Sequence, residues 1–404
     1  MKLLIKNGNI LTPFREITGG GLLIKGGVIS EVLETEQDVC KAESNLMAAQ
    51  EDSKIIDAGG NYIAPGFIDI HTHGAGGHDF MDGTVEAILE AARAHMRHGT
   101  TSLVPTTLTS SLEDLFKTLD NFKKAGEYQD GPELLGIHLE GPYFSMEQRG
   151  AQDPRFIKNP DREEYMKILD YSKDIIRWTV APELEGALAM GRELKNRGVL
   201  PSIGHSNAIY EDVQRAFENG FTHVTHLYSG MSMVRRINAY RYAGVVESAF
   251  LIDDMTVEII ADGKHLPQSL LKLIYKIKGP DRICLVTDSM RAAGMPDGEY
   301  ILGSLKSGQE AIVEEGVAKL PDRSAFAGSV ATTDRLVKTM VEIAGVPLID
   351  AVRMMTSTPA RIIGAADRKG ALVPGKDADI IVFDERINIK TVITRGTVRF
   401  QLPE

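Results

Sequence analysis

Cysteine is almost missing from this chain of 404 residues: Cys40 and Cys284 are its only two. Two thiols cannot build a disulfide framework, which excludes a small cross-linked scaffold, and neither sits in a stretch that reads as a nucleophile's setting. Long apolar runs are missing too. None approaches the roughly 20 residues needed to span a bilayer, so no membrane partner is expected. The opening MKLLIKNGNILTP is too soon polar for a signal peptide, and cytoplasmic residence is the expectation. Positive charge is in deficit. Lys and Arg number 45 against 56 Asp and Glu, a formal net charge of -11, which disfavours nucleic acid and anionic membrane as partners. An anionic substrate would need a local basic cluster. No internal repeat or low-complexity tract stands out.

What is present is alternation. Residues 2–33 read as short strands with Asn-Gly and Gly-Gly turns, and DADIIVFD, INIKTVITRG and TVRFQL repeat that texture near the other terminus. One small β domain assembled from residues 1–60 and 370–404 accounts for both, with the polar stretch 34–53 as a loop or short helix. Between them, over 61–369, apolar runs alternate with helical patterns such as VEAILEAARAHMRHG, the signature of repeated βα units. Eight runs are countable: Ile63–Ile70, Ser102–Thr106, Leu134–Leu139, Trp178–Ala181, Pro201–Gly204, His223–Thr225, Thr256–Ala261 and Ile283–Thr287. The expected fold class is α/β, a closed barrel of eight βα units with one small β domain formed by both chain termini. Residues 289–330 read as a β-hairpin excursion after the eighth strand.

Barrel active sites lie at the carboxyl ends of the strands, and that is where the polar groups fall. The first run ends in His71-Thr72-His73, whose imidazoles share one face of a strand. The others end in His138-Leu139-Glu140, Gly204-His205, Thr225-His226 and Thr287-Asp288, and His265 lies slightly beyond the seventh. His138, on an alternating face, reads as core. The set His71, His73, Glu140, His205, His226 and Asp288 suits zinc chemistry and exceeds one tetrahedral shell. It supports either two metals bridged by Glu140 or one metal with unused ligands. Asp288 is placed to take a proton from a metal-activated water and return it to a leaving amine, so the reaction class is hydrolysis of an amide-like bond.

These residues, with PGFIDIHTHG, HLEGPY, RGAQDP, GHSNA, THLYSGM, IADGKH, TDSMRAAG, FAGS and KGALVPGKDADIIVFD, resemble the amidohydrolase superfamily and closely its N-acetylglucosamine-6-phosphate deacetylases. The resemblance implies a (β/α)8 TIM-like barrel with a small β-sandwich domain formed by both chain termini, and a cytoplasmic enzyme, often a homodimer, that deacetylates N-acetylglucosamine-6-phosphate or, as the alternative, N-acetylgalactosamine-6-phosphate or another N-acyl substrate. It implies that Glu140, His205 and His226 hold the principal divalent metal, zinc first, with iron, manganese or cobalt as the others. His71 and His73 would add a second ion, and Asp288 would be the catalytic acid/base. Ala151, Gln152, Ser229, Gly230 and His265 would line the sugar-phosphate pocket, and Phe326, Ala327 and Gly328 would close it.

The departures bear on substrate choice. Where relatives carry Asn-Ala-Met and then a phosphate-binding arginine in Gly-Arg-Glu, this chain has Ser229-Gly230-Met231 and the loop SMVRRINAYRYAG. Arg235, Arg236 and Arg241 supply the local basic cluster, with Arg236 favoured for phosphate; a solvated or subunit-facing charge run is the competing reading. A dihydroorotase-like cyclic amidohydrolase is disfavoured because the fourth run ends Ala181-Pro182-Glu183, without the lysine such sites bridge with. A non-catalytic scaffold is disfavoured because the ligand set is whole.

Overall fold

Both ends of the chain meet in one sheet. Lys2–Leu11 pairs antiparallel with Glu16–Lys25, and that strand with Val28–Leu33. Ser53–Asp57 and Tyr62–Pro65 add parallel to Lys2–Leu11. Tyr62–Pro65 then takes Ile380–Phe383 on its other edge, followed by Ile389–Thr394 and Thr397–Gln401, giving eight strands in all. Residues alternate inward along these strands, as the pleat requires, and Leu3, Ile5, Leu22, Ile24, Ile380 and Val382 share one buried cluster. The computed structural model describes residues 2–49, 53–128 and 130–402.

Within 34–53, where a loop or short helix was expected, Glu36–Ala48 is a helix; Gln50–Asp52 lie outside the described residues. Thr35 caps it by accepting from Asp38 N, and Val39, Ala42 and Leu46, at three- and four-residue spacing, cover Leu4, Leu23 and Leu33 of the sheet.

The run Ile63–Ile70 is two strands rather than one. It breaks at Gly66, whose N–H donates to Asp379 O at 2.9 Å and where a Cβ would lie 2.1 Å from Thr101 Oγ1. Only a glycine lets the chain cross there from the terminal sheet into the barrel. The barrel strands are Phe67–Thr72, Thr100–Thr107, Ile137–Glu140, Ile175–Val180, Leu200–Ile203, His223–Val224, Thr256–Ile259 and Ile283–Leu285. All neighbouring pairs are parallel, in chain order. The eighth strand closes on the first by bonds just past its end: Asp288 N donates to His71 O at 2.8 Å and Thr287 Oγ1 to Asp69 Oδ2 at 2.5 Å. Helices such as Val85–Met96, capped by Thr84, pack outside with their apolar faces inward.

After the eighth strand comes a three-stranded antiparallel sheet, Gly298–Leu302, Gln309–Glu314 and Val317–Lys319, one strand more than the expected hairpin. Its inner face joins Met290, Ala292 and Ala327 in a cluster beside the barrel mouth. Among the described residues no helix is long and apolar enough to cross a membrane.

Candidate metal centre and active site

Six side chains from five strand ends converge. His71 and His73 point inward from the first strand while Thr72, between them, turns away to His95 Nε2 at 2.9 Å. Glu140 ends the third strand, and His205, His226 and Asp288 follow the fifth, sixth and eighth; all six are buried. Glu140 Oε1 lies 3.2 Å from His205 Nε2, 2.9 Å from His226 Nε2 and 3.6 Å from His71 Nε2, and Glu140 Oε2 lies 3.3 Å from His73 Nε2. Asp288 Oδ1 is 3.0 Å from His73 Nε2 and 3.4 Å from His71 Nε2.

Donors bound to one ion at about 2.0–2.1 Å and tetrahedral angles stand about 3.3 Å apart, and these spacings fit that geometry. The imidazoles are prepared for it. His73 Nδ1 lies 3.2 Å from Thr106 O, His205 Nδ1 2.8 Å from Gln148 O and His71 Nδ1 3.0 Å from Glu258, so each carries its proton on Nδ1 and offers Nε2 inward. His71 Nε2 is buried without a hydrogen-bond partner, and His205 Nε2 faces His226 Nε2 at 3.2 Å, an arrangement that wants a cation between the nitrogens. Two sets fit an ion each, His71, His73, Glu140 and Glu140, His205, His226, and Glu140 is common to both.

Electrostatics point the same way. Burial opposes charge on His71 and His73, yet the carboxylates of Asp288 and Glu140, joined at His71 by Glu258, outweigh it. His71 is raised well above the ordinary histidine value and His73 to about 9. Burial likewise works against the Glu140 carboxylate, and the imidazoles around it hold it well below the usual range. The centre is built for positive charge, and a divalent ion would displace those protons. A third acidic cluster, Glu133, Asp377 and Asp379, is filled by the chain itself: Lys369 Nζ reaches them at 2.6, 3.0 and 2.5 Å.

A cavity of about 270 Å³ opens over the centre, lined by His73, Glu140, His205, His226 and Asp288, and by Ala151, Gln152, Ser229, Gly230, His265, Phe326 and Gly328 of the expected pocket set. Gln152 does more than line it. Its Nε2 donates to Glu140 Oε2 at 2.8 Å while its Oε1 accepts from Thr109 N at 2.9 Å, clamping the shared carboxylate. His265 is turned by Asp262, whose Oδ2 takes Nδ1 at 2.9 Å, and its ring packs on Phe326.

Two residues fall elsewhere. Ala327 is fully buried behind the cavity in the cluster with Met290 and Ala292, its N–H bonded to Ala318 O. Arg236 is exposed on a hairpin of Arg235–Ile237 and Tyr240–Tyr242, and Arg235 is bound to Asn207 at 2.7 and 2.8 Å, so neither lines the cavity of its own chain. His138 is core as read, between Thr106 and Thr179 hydroxyls. Leu108, Gly150, Tyr228 and Leu302 also line the cavity; Gly150 and Tyr228 lie within RGAQDP and THLYSGM, beside residues already singled out, whereas nothing in the sequence neighbourhoods of Leu108 and Leu302 sets them apart. Glu258, behind His71, left a readable signal: a lone acid in the apolar run TVEIIA.

A nearly closed barrel of eight parallel strands, with imidazoles and carboxylates gathered at their carboxyl ends, defines a hydrolase of the amidohydrolase kind. The chain belongs to the amidohydrolase family, whose pattern matches residues 62–399, and within it to the N-acetylglucosamine-6-phosphate deacetylases. It is 36% identical over 351 residues to the N-acetylglucosamine-6-phosphate deacetylase of Lysinibacillus sphaericus, covering 86% of this chain and 87% of that one. It is 33% identical over 336 residues to the N-acetylgalactosamine-6-phosphate deacetylase of Escherichia coli, covering 83% and 86%. The crystal structure of the N-acetylglucosamine-6-phosphate deacetylase from Pasteurella multocida is similar at a TM-score of 0.88 with 29% identity, over 98% of this chain and 99% of that one.

Proposed function

We propose that the chain hydrolyses the acetamide of an N-acetyl amino-sugar phosphate, N-acetylglucosamine-6-phosphate first, to acetate and the amino-sugar phosphate. The observation that carries this is the convergence of two ligand triads on Glu140 at the floor of a sugar-sized cavity. Glu140, His205 and His226 would hold one divalent ion, and His71 and His73 with Glu140 would hold a second; zinc suits the donors best, and iron, manganese or cobalt fit the same set. A bound ion supplies Lewis-acid polarisation of the amide carbonyl and lowers the pKa of water.

The chain does the rest. Asp288, whose Oδ1 sits beside His73, accepts a proton from the water whose oxygen adds to the acetyl carbon. It returns that proton to the amine nitrogen as the C–N bond breaks. Gln152 and Thr109 keep Glu140 in place throughout. His265, fixed by Asp262, and Ser229 and Gly230 position the sugar.

The phosphate falls to the arginine hairpin. Met233, Val234, Ile237 and Tyr240 are exposed around Arg236 and Arg241. A homodimer that covers those apolar side chains would carry the two guanidinium groups to a partner's cavity. A sugar phosphate is too charged to cross a bilayer unaided, so this reading carries a cytoplasmic location with it.

The galactosamine epimer is the second reading, favoured by Ser229-Gly230 and the altered arginine loop and by the relative that acts on that epimer. Acetate release from N-acetylglucosamine-6-phosphate, its galacto epimer and unphosphorylated N-acetylglucosamine separates them. A preference of tenfold or more for one phosphorylated sugar is expected. Equal rates with and without phosphate would refute the hairpin's role, and no acetate from any of the three would refute the reading itself.

A further inference from the structure

Beneath the metal centre the barrel holds a charge pair that a packed apolar interior does not require. Glu258 in the seventh strand and Arg177 in the fourth are both fully buried and ion-paired. Such a pair at best breaks even against well-packed apolar residues, so the explanation must lie in what else the two groups hold. Glu258 Oε2 meets His71 Nδ1 at 3.0 Å and accepts from the backbone N–H of His226 at 3.1 Å. Its Oε1 takes the guanidinium of Arg177 and lies 3.4 Å from His223 Nε2. Arg177 spends its other donors on Ser202 Oγ at 3.0 Å, Ile70 O at 3.2 Å and Thr225 Oγ1 at 2.7 Å. It is thereby anchored to elements on both sides of the barrel.

We propose that Glu258 is the positioning residue of the His71 half of the metal centre, with Arg177 as the brace that fixes Glu258. An imidazole that ligates through Nε2 must keep its proton on Nδ1, and a carboxylate acceptor at that atom sets both tautomer and ring plane. Glu258 is that acceptor for His71. The same oxygen steadies the His226 main chain, so one carboxylate ties the two ligand triads together. The dependence is unequal: Glu258 meets His226 only at its backbone N–H, whereas it is the partner of the His71 ring at Nδ1.

The inference rests on the reading that the centre binds metal and is independent of which sugar is cleaved. Zinc alone is the probe. Ions per chain and stepwise affinities are measured by competition with a chromophoric chelator for wild type, His71→Ala, and Glu258→Leu combined with Arg177→Met. The paired substitution removes both charges, so that neither is left alone in the interior. The expected result is two ions in wild type. In the paired variant the ion at Glu140, His205 and His226 should stay within a few-fold of wild type while the other weakens 10- to 100-fold, in the direction of His71→Ala. A purely structural role would lower the melting temperature and leave both affinities unchanged. That outcome overturns the proposal, as do loss of both ions together and a wild type whose zinc binding His71→Ala does not alter. If the paired variant does not fold, Glu258→Asp, which withdraws the carboxylate by one methylene, is measured against the same expectation. No substrate enters the assay, so failure here and failure of the deacetylase reading are distinguishable.

Discussion

Three of the site's side chains stand on left-handed backbone: His205 at φ 48°, His226 at φ 28° and Asp288 at φ 46°. Each such residue costs on the order of 1–3 kcal/mol and persists only where its surroundings fix it. Asp288 is fixed through both main-chain groups, donating to His71 O and accepting from Ser329 N at 2.7 Å. Asp288→Asn keeps this frame and removes the proton acceptor. Turnover should therefore fall by about 10²- to 10⁴-fold while metal content measured on the same sample stays as in wild type; retained activity would end the acid/base assignment. His95, behind Thr72, gives a second prediction. Burial, helped by nearby His98, lowers its pKa to about 4. Unfolded histidine takes its proton near 6.5, so the unfolded state binds more protons between those values and stability is lost as pH falls from about 6.5 toward 4, by about 3 kcal/mol for this group. In urea titrations of metal-free protein, His95→Gln should flatten that slope by one proton, and an unchanged slope would contradict it. The candidate ligands were legible because each follows an apolar run. Their left-handed backbone was not, because it is imposed by neighbouring strands that no local string reveals.

On the proposed function, the hairpin Arg235–Tyr242 is the element that takes the substrate's phosphate. Asn238 and Ala239 at its tip have φ of 49° and 70°, the two left-handed residues of a tight hairpin turn. The register places Arg236 directly opposite Arg241. Like charges facing across a strand pair repel, and an anion between them would relieve that. Replacing both with alanine should raise KM for the phosphorylated sugar at least tenfold with kcat little changed, and leave the unphosphorylated sugar unaffected. In sedimentation, Tyr240→Asp should shift the proposed dimer toward monomer. An unchanged KM in the first variant removes the hairpin from phosphate binding. The sequence showed the arginines as a cluster but not their separate duties: Arg235 is engaged by Asn207, a contact across 28 positions that only the fold creates.

At the scale of the molecule, the barrel and the terminal sheet are joined at Lys369. Its buried ammonium bridges Glu133, on the short strand Glu133–Leu134 entering the barrel, to Asp377 and Asp379, which lead into the terminal strand Ile380–Phe383. Lys369→Met leaves those carboxylates facing one another and should cost about 3–5 kcal/mol, read in urea unfolding; a loss under 1 kcal/mol would show the junction to be held by packing alone. The eight barrel strands and the shared terminal sheet could be counted from apolar runs and turn residues. The crossing at Gly66 is marked in the sequence by Pro65-Gly66, but that pair signals only a break, and the change of sheet there depends on the closeness of Thr101.

The central claim is that this chain is a deacetylase whose chemistry depends on ions held by the Glu140-centred cluster. Its most direct measurement is acetate release from N-acetylglucosamine-6-phosphate by chelator-stripped protein as zinc is added back, with ions per chain counted in each sample. Acetate release that is absent without metal, rises with occupancy and levels off at one or two ions per chain is the predicted result. Full turnover by the stripped protein, or none by the fully loaded one, would contradict the account.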